Sequence, residues 1–216
     1  MRDWLSSLRR KPHAANSAPL DSLRYVVLDT ELTSLDPRSN RLLSIGAIAM
    51  QGAKIRLGEN LYCVVNPGGA IPVETIVVHG LRPADVEHGC DSGKAVQQLV
   101  EFVGDSIIVG HFVHIDLQVL RKELQRTSRR PLNPAIDTAR AHYWLAVSEA
   151  RRRGVEDVNE PLDLATLAVR YHLQVEEMHH ALHDAFLTAQ LWQKLLPRLA
   201  ERGVTTLKDV LRVARG

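Results

Sequence analysis

The sequence predicts an α/β domain built on one mixed sheet flanked by helices, and three observations carry that expectation. Three short, apolar, β-branched runs follow one another early in the chain; after Pro72 the pattern turns mostly helical; two further strand-like runs are then interleaved with amphipathic stretches. Strands in direct series tend to pair antiparallel, whereas strands separated by helices return parallel. A length of 216 residues suits one domain. A composition 45% hydrophobic and 24% charged excludes general disorder, collagen-like sequence and a coiled coil.

Residues 1–22 read as a flexible N-terminal tail. Trp4, Leu5 and Leu8 can form one stripe of a short helix, and residues 11–20, with Pro12, Ser17 and Pro19, read as linker, either frayed or docked on the body. The domain itself is expected over residues 23–216. Its first three strands are placed at 24–28, 42–50 and 61–65, with Gly52, Gly58 and Asn60 supplying the turns. Ala95, Leu99, Phe102 and Val103 follow the i, i+4, i+7, i+8 spacing of a helix face. A buried strand follows at 106–109, then an amphipathic stretch marked by Leu117, Leu120 and Leu124, and a short strand near 135–136. Helices are expected near 138–152, 163–172, 180–200 and 205–214, with Asp163 as an N-cap.

Charge and cysteine usage narrow the function classes. Lys and Arg number 27 against 25 Asp and Glu, a formal +2. Five basic and two acidic residues fall within 1–24, which leaves 22 basic against 23 acidic in the rest of the chain. A body of that balance does not advertise a polyanion-binding surface, so nucleic-acid binding would have to arise at local sites. Cys63 and Cys90 are isolated and form no ligand-spaced cluster. No apolar run approaches a membrane span, and the N-terminus lacks the apolar core of a secretory signal. A soluble cytoplasmic protein without a membrane partner is therefore expected.

Acidic residues in apolar surroundings carry the chemistry. In Tyr25-Val-Val-Leu-Asp29-Thr-Glu31 the first strand ends on two carboxylates two residues apart, which strand alternation puts on one face. Like charges that close repel, and a divalent cation would compensate them; hard oxygen ligands favour Mg²⁺ or Mn²⁺. The alternative is a solvated turn leading into Asp36-Pro37. Asp116 lies one turn into a helix just after the strand at 106–109, where it either faces a cleft at the strand end or merely suits the helix dipole. Ala181, Ala185, Thr188 and Ala189 form a small-residue stripe that lets a third segment approach the sheet closely, with Asp184 beside it. His179, at the start of that helix, suits a mobile general base; the three histidines at 179, 180 and 183 could instead be a metal tract or a solvated face.

Together these motifs resemble the DnaQ-like, or DEDDh, 3′–5′ exonuclease superfamily, of RNase H-like fold, over about residues 24–196. The matching residues are Leu28-Asp29-Thr30-Glu31 with Thr33, Leu35, Asp36, Pro37 and Ser44-Ile45-Gly46; Gly110-His111 with Ile115-Asp116; and His179 five residues before Asp184. Val78-His79-Gly80-Leu81 and Ile136-Asp137-Thr138 resemble two further family segments. The resemblance implies hydrolysis of phosphodiester bonds at the 3′ end of single-stranded nucleic acid, DNA favoured, with release of nucleoside monophosphates. It implies two Mg²⁺ or Mn²⁺ ions per site, with Asp29 bridging them, Glu31 and Asp184 holding one, and Asp116 supporting the other directly or through water. It makes His179 the base that takes a proton from water, and Thr30, Leu32, Thr33, His79 and Phe112 the candidate substrate-binding residues. Read on their own, His79, His114 and His183 are structural or surface residues.

Leu32, Ser34 and Phe112 depart from the common family pattern, which bears on substrate choice more than on metal binding. Arg121, Lys122, Arg126, Arg129 and Arg130, against Glu123, make a local basic cluster near Asp116, or simply a solvated helix end. Arg151–Arg153 look compensated by Glu156, Asp157 and Glu160. The chain ends soon after its last helices, so a stand-alone nuclease, monomeric or homodimeric, is expected, with a DNA polymerase or repair protein as the possible partner. Two alternatives stand beside the exonuclease: an exoribonuclease trimming short RNA or tRNA ends, and a non-catalytic nucleic-acid-binding adaptor.

Overall fold

A computed structural model describes residues 16–127, 132–175 and 178–216. The expected stripe at Trp4, Leu5 and Leu8, and the cations Arg129 and Arg130, lie outside these residues.

Five strands form one sheet in the order β3-β2-β1-β4-β5. β1 (Arg24–Leu32), β2 (Leu42–Gln51) and β3 (Lys54–Val64) are antiparallel neighbours, while β4 (Ile107–Gly110) and β5 (Ala135–Asp137) run parallel to β1. The chain adds α1 (Val73–His79), α2 (Pro83–Glu87) and α3 (Ser92–Val103) before β4, and α4 (His114–Thr127) between β4 and β5. After β5 come α5 (Thr138–Arg152), α6 (Leu164–Arg170), α7 (Ala181–Glu201) and α8 (Leu207–Val213).

β1 is central because both of its faces are apolar. Tyr25 and Val27 enter a core shared with α5–α8, whereas Val26 and Leu28 enter a core shared with α3 and α4. Each fully buried large aliphatic side chain contributes roughly 1.5–3 kcal/mol, so the strand register is strongly held. The same alternation decides what the polar end of β1 meets. Asp29 and Glu31 continue the α7 side, and Thr30 and Leu32 continue the α4 side.

Two expectations need correction. β3 begins at Lys54 rather than near residue 61, and Gly58 and Asn60 do not separate two elements. The register jumps from Ala49↔Arg56 to Ile48↔Asn60, so Leu57, Gly58 and Glu59 form an excursion within one strand, closed by Asn60 Nδ2 donating to Leu57 O at 2.8 Å. The body also starts before residue 23. Leu20 is buried, its N–H donates to Thr205 O at 2.9 Å, and its carbonyl accepts from the Tyr25 hydroxyl at 2.6 Å. That docking pairs Leu20 with Thr205, 185 positions later, a contact no local composition could reveal. Among the described residues, no helix is long and apolar enough to cross a membrane.

Candidate active site

The ligand oxygens of Asp29, Glu31 and Asp184 lie within 4.8 Å of one another at the C-terminal end of β1. Gly46 makes this possible. It pairs with Asp29 across the β1–β2 ladder, and a Cβ built on it would come within 2.2 Å of the Ala181 carbonyl carbon and the Leu182 nitrogen. Only a residue without a side chain lets the first turn of α7 press onto the sheet there, and that turn brings Asp184 over the strand end. The small-residue stripe expected on α7 is buried at Ala181, Ala185, Thr188 and Ala189.

His179 precedes α7 in a left-handed backbone conformation, φ 65°, uncommon for a residue with a side chain. Its N–H donates to Asp184 Oδ2 at 2.7 Å, so the loop and the carboxylate hold each other. Oδ1 of Asp184 is buried and has no hydrogen-bond partner. His180 caps α7 by accepting from the His183 N–H, and it stacks on Tyr62 of β3 with ring centroids 4.5 Å apart. Tyr62 thereby braces the loop from the neighbouring strand; this role has no sequence signal.

Asp116 approaches from the other face of β1. The Thr30 hydroxyl donates to Asp116 Oδ1 at 2.6 Å, as alternation along β1 requires. Asp116 is buried and lies close enough that its charge, after burial itself, is the largest influence raising the Asp29 pKa well above the carboxylate range. Glu31 and Asp184 push Asp29 the same way. Burial pushes Glu31 up to about 7, with Asp184 and Asp116 adding to it. Asp116 is also pushed to about 7 by burial, against the pull of the Thr30 hydroxyl. Burial raises Asp184 too, offset by the His179 N–H. Four carboxylates that oppose one another's ionisation, one with an orphaned buried oxygen, form a donor set suited to hard divalent cations.

The five candidate substrate residues fall in different places. Thr30 commits its hydroxyl to Asp116, and Leu32 is buried in the α3–α4 core. Thr33 is buried, its hydroxyl accepting from the Arg41 N–H at 3.0 Å. His79, at the end of α1, is buried with Nε2 unpartnered; burial lowers its pKa, and so does the nearby charge of His179. Gly80 closes α1 in a left-handed turn, φ 70°, its N–H donating to Ile76 O at 2.8 Å. Phe112, φ 50°, lines an open cavity of about 660 Å³. His111 is structural: Nδ1 lies 2.9 Å from the Thr138 hydroxyl and Nε2 2.6 Å from Leu162 O.

Asp137 has more to do than its sequence match suggests. It is fully buried at the end of β5, and its Oδ1 accepts from the N–H groups of Ala139, Arg140 and Phe112. Its charge also raises the Asp116 pKa. An acid ending a strand before a helix is a legible N-cap; its hold on Phe112, across the sheet, is not. The basic cluster on α4 is partly engaged, since Arg126 pairs with Glu123 at 3.5 Å and Lys122 donates to Asn40 O at 3.3 Å. Asp163 caps α6 as expected, accepting from the Thr166 N–H.

The family model described as Exonuclease, of the RNase T type, matches residues 26–192. A DNA polymerase III subunit epsilon-like protein of Rhodobacter capsulatus is 31% identical over 203 residues, covering 94% of this chain and 28% of that protein. The DNA polymerase III subunit epsilon of Aquifex aeolicus is 28% identical over 194 residues, covering 89% of this chain and 90% of the relative. Among solved structures, E. coli Exonuclease I in complex with a dT13 oligonucleotide superimposes with a TM-score of 0.69 at 16% identity, over 84% of this chain and 42% of that one. Exonuclease X in complex with 5′ overhanging duplex DNA gives 0.60 at 19% identity, over 86% and 97%.

Proposed function

Since the chain belongs to the DnaQ-like exonuclease family, with its RNase H-like fold and 3′–5′ exonuclease activity, we propose that it removes nucleoside monophosphates from the 3′ end of single-stranded nucleic acid, with DNA as the preferred substrate. The observation that carries this reading is the convergence of Asp29, Glu31 and Asp184 within 4.8 Å beside the loop bearing His179.

In this reading Asp29, Glu31 and Asp184 hold two Mg²⁺ or Mn²⁺ ions, with Asp116 supporting the second. When bound, the ions supply the positive charge that makes a water acidic enough to attack and that steadies the leaving oxygen. His179 accepts the proton of the attacking water at its imidazole, and the Asp184 carboxylate steadies its backbone. Thr30 orients Asp116 through its hydroxyl. His79, beside His179, and Phe112, at the cavity mouth, are the groups of this chain placed to meet the terminal nucleotide. The names of the polymerase III relatives support a polymerase as a partner.

The test uses 3′-labelled single strands with Mg²⁺ or Mn²⁺. Mononucleotide release is expected, abolished by EDTA. Asp29→Asn and Asp184→Asn should lower turnover at least about a hundredfold, the scale on which removing one preorganised charged group acts, and His179→Ala should lower it severely. Undiminished activity in EDTA, or internal fragments as first products, would overturn the reading. Matched DNA and RNA strands separate the DNA-preferring enzyme from an exoribonuclease, because the 2′-hydroxyl is the distinguishing group.

A further inference from the structure

A groove outside the carboxylate cluster opens where the C-terminal ends of β4 and β5 meet the starts of α4 and α5. It encloses about 660 Å³, within the usual range for ligand sites. Its wall combines the rings of Phe112, Tyr143, Trp144 and His114 with two cations, Arg140 and Arg151. We propose that this groove receives the single-stranded segment lying 5′ of the bond to be cut, with bases against the rings and phosphates against the guanidinium groups.

The inference rests on the exonuclease reading and extends it from the strand end to the strand behind it. Continuity is the first argument. Phe112 stands on the β4–α4 connection and His114 in the first turn of α4, the turn that carries Asp116, so the groove begins beside that carboxylate. Phe112 is held in its left-handed conformation by Asp137, whose Oδ1 accepts from the Phe112 N–H at 3.2 Å. The strain of that conformation is thus offset by a buried acid whose charge also acts on Asp116.

Charge is the second argument. Among the described residues Arg151 forms no ion pair: Glu149, on the same helix, pairs with Arg153 at 2.9 Å and with Arg202, and Glu160 pairs with Arg170. Arg140 commits one nitrogen to Arg215 O at 2.9 Å and retains its charge. Asp137, the one acid in the groove wall, is buried. The third argument is the exposure of Tyr143, 43%, on a helix whose opposite face enters the core. An exposed ring beside cations suits an unpaired strand, since stacking needs a free base face and a duplex hides it.

Binding of 5′-fluorescein-labelled oligothymidylates, measured by anisotropy with Ca²⁺ in place of Mg²⁺, tests the groove. Phe112 stands at the end of the groove nearer the carboxylates, whereas α5 carries Tyr143 and Arg151 about 8 and about 20 Å along its axis from Thr138, so a decanucleotide extends to them and a dinucleotide stops short. Tyr143→Ala and Arg151→Glu are expected to weaken decanucleotide binding about tenfold, the scale of one lost base–aromatic stack, and to leave dinucleotide binding unaltered. Arg151→Glu should also reduce the salt dependence by the share of about one phosphate contact, near 0.7 in the log–log slope. Arg152→Glu, the same charge change outside the groove, is the control. Equal weakening at both lengths, no weakening, or an equal effect of Arg152→Glu would overturn the proposal. Wild-type turnover of the decanucleotide with Mg²⁺ reports on the other reading: length-dependent binding through the groove without hydrolysis defeats the exonuclease and leaves the groove standing, and hydrolysis with unaltered variant binding does the reverse.

Discussion

At the scale of single residues, the site is a set of acids whose partners are mostly backbone groups and one another. The exception is Thr30, whose hydroxyl donates a side-chain hydrogen bond to Asp116 at 2.6 Å. Replacing it with valine keeps the shape and β-branching of the strand but leaves a buried carboxylate oxygen short of a donor. Thr30→Val should therefore cost about 1–3 kcal/mol, read as a lowered midpoint in urea unfolding at neutral pH, with added Mg²⁺ recovering part of it. Asp29 and Glu31 are the most legible residues in the chain, because alternation along an apolar strand fixes their common face without knowledge of anything else. Asp184 reads in the sequence as an acid beside a small-residue stripe, five residues after His179. Its contact with the His179 N–H depends on a backbone conformation that side chains disfavour and sequence pattern does not announce.

At the scale of elements, the decisive contact is α7 against β2. A Cβ at Gly46 has no room beside Ala181 and Leu182, whereas one at Gly58 meets nothing within 4 Å. Gly46→Ala should thus lower stability by about 1–3 kcal/mol as overpacking, and lower Mn²⁺ affinity by lifting Asp184 from Asp29 and Glu31. Gly58→Ala should leave both within error. Thermal unfolding and Mn²⁺ titration compare the two directly. Element identities were largely open to sequence reading: the strands at 42–50 and 106–109, the capped helix after Asp163 and the long last-but-one helix all follow local periodicity. The excursion in β3 is hidden from the sequence because glycine and asparagine suit both a turn and a strand that bulges, and only the partner strand distinguishes them. Likewise, proximity in sequence matches Arg151–Arg153 to Glu156, Asp157 and Glu160, while the fold pairs Arg153 and Arg202 with Glu149.

At the scale of the whole molecule, the acids make the metal-free protein sensitive to pH. Glu31 and Asp116 are pushed up to about 7 from ordinary values of 4.5 and 3.8. Between the ordinary and the raised values the folded state binds more protons than the unfolded state, so these groups make stability fall as pH rises through that window. Buried histidines act in the opposite sense: the pKa values of His79, His111 and His142 are lowered by burial, so their contribution improves as pH rises. Asp29→Asn isolates the acidic contribution. Without metal, the variant should melt higher than the wild type at about pH 8, with the difference shrinking toward about pH 5. Saturating Mg²⁺ or Mn²⁺ should reverse the order at about pH 8, since only the wild type retains the full ligand set. Differential scanning fluorimetry across that range reads both.

The excursion at Leu57–Glu59 has a consequence beyond register. β3 is the outer strand of the sheet, and a long straight edge exposes a row of amides and carbonyls on which another chain can add a strand. Three residues without partners on β2 break that row near its middle, and Lys54, Arg56 and Glu59 place charge along it. At the far edge, Ile136 of β5 is bridged to Arg215, and Gly216 donates to Ala135 O at 2.9 Å, so those backbone groups are already taken. A sheet guarded on both margins resists edge-to-edge aggregation.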